Sequence, residues 1–162
     1  MKSVLISIQP KWCELIASGK KTIEVRKSIP KVNEPFKVYI YCTANKNGVK
    51  DLLEIHGTDG KIHKANGKVI GEFICEQMTV AFYGEYCILP KSKTMLDELD
   101  LLDYADGKPL YGWHISNLVI YDKPKELSEF ATVKYCYPCI KPIVNRLTRP
   151  PQSWCYVEER EG

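Results

Sequence analysis

Gly19-Lys20-Lys21-Thr22-Ile23-Glu24-Val25-Arg26 joins the end of a short helix to a strand that sets charged and polar side chains beside apolar ones. Upstream, residues 10–18 carry Trp12, Leu15 and Ile16 at helical spacing, with Pro10 suited to a first turn. Gly19 supplies the residue that commonly ends a helix. Downstream, strand alternation sends Thr22, Glu24 and Arg26 to one face and Ile23 and Val25 to the other. With the apolar pair in the core, a hydroxyl, a carboxylate and a guanidinium share the opposite face. Such a group can grip a polar ligand.

Working outward, strand signals outnumber helix signals. Residues 3–8 alternate apolar with small polar side chains, and residues 36–42 are rich in Val, Tyr and Ile. Residues 68–76 read as a strand after the turn Asn66-Gly67, with 80–83 as a continuation. Residues 113–121 and 154–158 complete the set. Helices are expected at 10–18, 93–103 and 125–130; the middle one places Met95, Leu96, Leu99 and Leu102 on one stripe and acidic residues opposite, a solvated face. Residues 45–67 and 105–109 read as polar loops. With no repeat, low-complexity segment or linker, residues 1–162 read as a single domain. The expected class is α+β: a small closed or nearly closed barrel of about six strands with a few short helices.

At 162 residues and 44% hydrophobic, the chain can bury one core. Twenty-three Lys and Arg against twenty Asp and Glu leave only +3, which does not announce a nucleic-acid partner. The distribution is more telling. Residues 1–68 hold thirteen basic and six acidic side chains (+7), and the remainder ten and fourteen (−4). A basic first half suits a phosphate-bearing partner, and a solvated Lys-rich surface gives the same count. No apolar run reaches the ~18 residues of a membrane span, and the start lacks a secretory core. Seven Cys without an export signal point to a reducing, cytoplasmic setting, with Cys13, Cys42, Cys75 and Cys87 read as small buried hydrophobes.

Three segments carry a family resemblance: Ser-Ile-Gln-Pro-Lys-Trp at 7–12, Ile-Ala-Ser-Gly-Lys-Lys-Thr-Ile-Glu-Val-Arg at 16–26, and Gly-Lys-Val-Ile-Gly-Glu-Phe at 67–73. Together they resemble an ASCH domain, of the PUA-like superfamily. The ending Thr-Arg-Pro-Pro-Gln-Ser-Trp-Cys-Tyr-Val-Glu-Glu at 148–159 is similar to members from bacteria and their phages. The resemblance implies a PUA-like β-barrel with a cleft beside the helix after the first strand, and RNA recognition, including modified bases. It also brings a few bacterial hydrolases, among them amidohydrolases of acetylcytidine and a ribonuclease. Their catalytic lysine matches Lys21. Their threonine three residues on is Glu24 here, which removes the presumed nucleophile, and no motif secures their third residue, a glutamate.

Each candidate has a functional and a structural reading. Lys20, Lys21 and Arg26 can hold phosphate or a base edge, Arg through its bidentate fork; the structural reading is a strand-surface salt bridge with Glu24. Glu24 can accept from the amino group of cytosine or adenine, or act as a general base, while Thr22 offers a small donor and acceptor. Trp12, Trp113 and Trp154 can stack a base or simply fill the core. Ser116 follows Trp113 along its strand, and Arg146 and Arg149 precede a Pro150-Pro151-Gln152-Ser153 segment suited to walling a pocket. His56, His63 and His114 form no metal set. Cys136 and Cys139, with Cys155 as a third thiolate, make at most part of a zinc site that lacks its fourth ligand. No cofactor and no membrane partner are expected.

The functional expectation is a nucleic-acid-binding module, its ligand RNA as a single strand or a flipped base held between the first helix and the barrel. The alternative is a small hydrolase of modified nucleosides or RNA in the same cleft, with Lys21 orienting water and Glu24 shuttling protons. A third class is a protein-interaction module that docks through its acidic second half.

Overall fold

The alternation at the start of the chain becomes β1, Lys2–Ile8, whose side chains are buried on both faces from Ser3 onward. That makes it a central strand. In the computed structural model, which describes residues 2–44, 52–138 and 141–159, it is followed by α1 at Pro10–Ala17 and β2 at Ile23–Arg26. β3 is Phe36–Cys42, β4 Glu54–His56, β5 Ile62–Lys64 and β6 Lys68–Val80. Next come β7 (Phe82–Tyr83), β8 (Tyr86–Cys87), α2 (Lys91–Thr94), α3 (Glu98–Ala105) and β9 (Tyr111–Lys125). A 3₁₀ turn at Leu127–Glu129 leads to β10 (Ala131–Lys134), β11 (Ile143–Arg146) and β12 (Trp154–Glu158).

Six strands form one half-barrel sheet in the order β12-β1-β3-β6-β9-β2, and with the few short helices they make an α+β fold. β1 and β3 are parallel and the other neighbours antiparallel. The parallel pair requires a crossover, which α1 and β2 provide. Alternation sorts the strands cleanly. Val4, Ile6 and Ile8 of β1 join Val38, Ile40 and Cys42 of β3, with Cys13 and Ile16 of α1 and Trp113 of β9, in the main core. Leu5, Tyr39 and Tyr41 face a second cluster with Val69, Leu127 and Phe130. Ile23 and Val25 of β2 take a third, packed with Leu89, Leu101, Ala105 and Leu110. The expectation that these two residues face a core therefore holds, and that core is supplied largely by α3 and its flanks.

The expected helix at 93–103 is two helices. Thr94 ends α2 and turns its hydroxyl back on the Leu96 amide at 3.1 Å, while Met95 adopts a left-handed conformation, φ 61°. The chain restarts at Asp97, whose carboxylate accepts from the Asp100 amide while Asp100 accepts from the Asp97 amide. The restart also rotates the stripe: Leu101 and Ala105 face inward, and Leu99 and Leu102 are exposed. The expected helix at 125–130 is instead the end of β9 and the 3₁₀ turn. The loop expected at 45–67 contains the β4–β5 hairpin, with residues 45–51 outside the described set. Cys13, Cys42 and Cys75 are buried free thiols, and Cys87 is half-buried.

Candidate functional site

The two edges of the sheet are β12 and β2, and one side chain reaches across from β2. The Arg26 guanidinium donates through Nη2 to the Ser7 carbonyl of β1 at 2.6 Å and through Nη1 to Ser153 Oγ, just ahead of β12, at 3.3 Å. Its Nε and Nη2 both lie 3.1 Å from Glu24 Oε1. Ser7 ties the same corner, its hydroxyl donating to the Pro151 carbonyl at 2.7 Å and its amide to the Ser153 carbonyl at 2.9 Å.

Lys21 arrives by a different route. Gly19, at φ 76°, turns the chain out of α1, and the Lys21 amide then bonds to the Leu15 carbonyl. The turn buries the Lys21 side chain almost completely. Its Nζ donates to the Thr94 carbonyl at 2.6 Å, sits 3.6 Å from Glu24 Oε2 and lies 5.1 Å from the centre of the Trp12 ring. The break between α2 and α3 leaves that carbonyl free to receive it. Burial pushes the Lys21 ammonium below its ordinary pKa, and the Glu24 carboxylate beside it offsets only part of that shift.

These groups line a cavity of about 830 Å³, with Ser7, Trp12, Tyr41, Tyr104 and the strap of Pro150, Pro151 and Gln152 around them. Burial raises the pKa of both Tyr41 and Tyr104. One oxygen stands out. Glu24 Oε1 is doubly served by Arg26, whereas Glu24 Oε2 is buried and receives no hydrogen bond from any described protein group. A buried carboxylate oxygen without a donor is costly, and a ligand N–H would complete it.

Of the sequence-predicted residues, the cavity gathers Trp12, Lys21, Glu24 and Arg26. Thr22 is exposed and outside the lining: it precedes β2, its amide bonded to the Lys93 carbonyl and its carbonyl to the Ile115 amide. Lys20 and Arg149 are exposed and also outside it, although the adjoining Pro150–Gln152 segment forms a wall as expected. Trp113 is fully enclosed in the main core, edge-on to Phe36 and tilted against Trp154. Ser116 donates to the Ile74 carbonyl, and Trp154 donates from its indole to Ser28 Oγ. Cys136 is exposed and Cys155 half-buried, while Cys139 lies outside the described residues. Among the described residues no three His, Cys, Asp or Glu side chains gather as metal ligands. No described helix is long and apolar enough to cross a membrane. Tyr41 and Tyr104 were not singled out in the sequence, since nothing local marks them.

Residues 6–81 match the family model of the ASCH domain, a span covering the lysine, the glutamate and the arginine just described. Over that stretch the chain is similar to the ASCH domain. The ASCH family is associated with nucleic acids. The fold is similar to crystal structures of an ASCH protein from Zymomonas mobilis. One point variant of that protein is 20% identical with a TM-score of 0.55, over 98% of this chain and 92% of that one. The unsubstituted protein is 20% identical with a TM-score of 0.54, over 97% and 88%. A second point variant is 19% identical with a TM-score of 0.54, over 97% and 89%. At that identity the likeness speaks for the fold. No curated protein matches the chain.

Proposed function

We propose that this protein is a single-domain, cytoplasmic nucleic-acid-binding module that takes an unpaired RNA base into the cavity between α1 and the sheet. The observation that carries the reading is Glu24 Oε2, held in the wall of a ligand-sized hollow, which the Lys21 ammonium approaches only to 3.6 Å while the guanidinium serves the other oxygen. A volume of about 830 Å³ falls within the roughly 300–1,000 Å³ range of small-molecule sites. The carboxylate suits an amino or imino N–H on a base edge, and the half-buried Trp12 ring offers an apolar flank to the inserted base. Pairing of β12 with β1, and of β9 with β2, ties both ends of the chain into one sheet, which supports a single domain.

The test is calorimetric titration of short single-stranded RNA into wild type and Glu24→Gln, with folding checked by circular dichroism. A hydrogen bond to a charged partner contributes about 1.5–3 kcal/mol, so the variant should bind roughly 10- to 100-fold more weakly. Wild-type affinity in a folded Glu24→Gln protein would remove this reading.

A second reading, a hydrolase of modified nucleosides or RNA, is favoured by one observation: Lys21 is a buried amine with a lowered pKa beside a carboxylate, the combination that makes lysine a usable base. Incubation with acylated cytidines and with short RNA decides it. Turnover that disappears in Lys21→Met would select the hydrolase over simple binding.

A further inference from the structure

The cations at the floor of the cavity are already committed. Arg26 serves Glu24, Ser7 and Ser153, and Lys21 serves Thr94 and Glu24, so neither presents a free fork or a full set of ammonium donors to an incoming phosphate. Two other lysines are differently placed. Lys11 Nζ lies 4.6 Å from the centre of the Trp12 ring, and Lys27 Nζ lies 4.8 Å from the centre of the Tyr104 ring. Trp12 on α1 and Tyr104 on α3 both line the cavity, so each lysine is parked on an aromatic of the cavity wall.

We infer that Lys11 and Lys27 form a phosphate subsite at the mouth of this cavity, and that its ligand is a nucleotide, free or within a single strand, rather than a bare nucleoside. The inference rests on the base-binding reading and extends it outward from the floor. A base that meets Glu24 with its edge must leave its sugar and phosphate on the solvent side, and Lys11 and Lys27 are both exposed side chains resting on cavity-wall aromatics. Among the described residues neither ammonium has a carboxylate within ion-pair distance; each is held by a ring face alone. A ring face consumes none of the three N–H donors, and at an exposed site it is a weak hold, so both groups can swing onto a phosphate. Lys20, equally exposed, neither lines the cavity nor rests on one of its aromatics. It is the charge-matched control.

The test titrates the four ribonucleosides, their 5′-monophosphates and the corresponding homotrinucleotides into wild type, Lys11→Ala/Lys27→Ala and Lys20→Ala at two salt concentrations. The expected result is that a phosphate tightens binding about tenfold or more, that the double variant loses this gain, and that nucleoside affinity stays within about twofold. Two neutralised charges predict a log–log salt slope of about −1.4 for a single strand, which the double variant should flatten. Tighter binding of trinucleotide than of monophosphate identifies a strand as the natural source; equal binding identifies the free nucleotide. If nucleosides bind but the monophosphate gain is absent, or survives in the double variant, the mouth assignment is overturned while the base site stands. Binding of no probe overturns both.

Discussion

Replacing Arg26 with Ala removes the group that bridges the gap between β2 and the β1–β12 corner. Four contacts go at once: two to Glu24 Oε1 at 3.1 Å, one to the Ser7 carbonyl at 2.6 Å and one to Ser153 Oγ at 3.3 Å. Glu24 then keeps only Lys21, 3.6 Å away. Removing one partner of a buried ion pair costs about 3–5 kcal/mol, because the remaining charge stays buried without compensation. The cavity lets solvent approach this corner, which favours the lower end, about 3 kcal/mol. For a chain of this size that lowers Tm by roughly 6–12 °C. Urea unfolding should show the loss as a shifted midpoint at unchanged slope. Arg26→Lys should recover less than half of it, since one ammonium cannot reach three partners in the geometry of a planar fork. The decisive arm is Arg26→Ala/Glu24→Gln, which removes the stranded charge as well and should be less damaging than the two single losses together by about 1–3 kcal/mol. Strict additivity, or an Arg26→Ala protein within about 1 kcal/mol of wild type, would refute the reasoning.

Lys21 supplies a pH dependence of definite sign. Its folded pKa lies below the ordinary lysine value of about 10.4, so between the two values the unfolded chain binds more protons, and stability should rise with pH. Urea midpoints of wild type relative to Lys21→Met, followed from neutral to alkaline pH, should therefore climb through that window; a falling difference contradicts the burial argument. Gly71→Ala places a Cβ 2.3 Å from the Val119 carbonyl oxygen and 3.1 Å from the Ile120 Cα, both backbone atoms of β9. Overpacking of that kind costs about 1–3 kcal/mol, whereas Gly112→Ala meets only the Ile23 and Leu89 side chains and should lower Tm less.

The six-stranded sheet was legible wherever both faces of a strand had to be filled. β3 and β12 match the expected residues; β6 and β9 run on past their expected ends into largely exposed tails, and β9 also starts two residues earlier, at Tyr111 and the buried Gly112. β4, β5 and β11 escaped notice for the opposite reason: little of their surface is buried, so no apolar alternation marks them. The stripe of Leu99 and Leu102 misled because α3 carries leucines on both faces. Which face packs is decided by the break at Met95, and that break depends on the Thr94 hydroxyl rather than on a proline or glycine. At the site, the local motif yielded Lys21, Glu24 and Arg26. Alternation alone would not have paired Lys21 with Glu24, three residues apart; the turn at Gly19 does that. Tyr41, Tyr104 and the Pro150–Gln152 wall come from remote parts of the chain and meet only in three dimensions.

The asymmetry of the Glu24 carboxylate separates a staple from a reading head. Three charges gathered solely for stability would be poorly chosen, since apolar side chains of similar volume commonly match or exceed a buried ionic group. A purely structural triad would also saturate both carboxylate oxygens. Here Arg26 fixes Oε1 and with it the plane of the carboxylate, while Oε2, in a cavity wall, has only the Lys21 ammonium at 3.6 Å. On the proposed reading Arg26 is a positioning residue, and Glu24 is the group that meets the ligand. Arg26→Ala is accordingly a poor probe of binding, because it dismantles the wall along with the contact. Glu24→Gln retains an acceptor for Arg26 and alters the oxygen that matters. A loss of ligand affinity larger than the accompanying loss of stability is then the signature of the reading head, and equal losses are that of a staple.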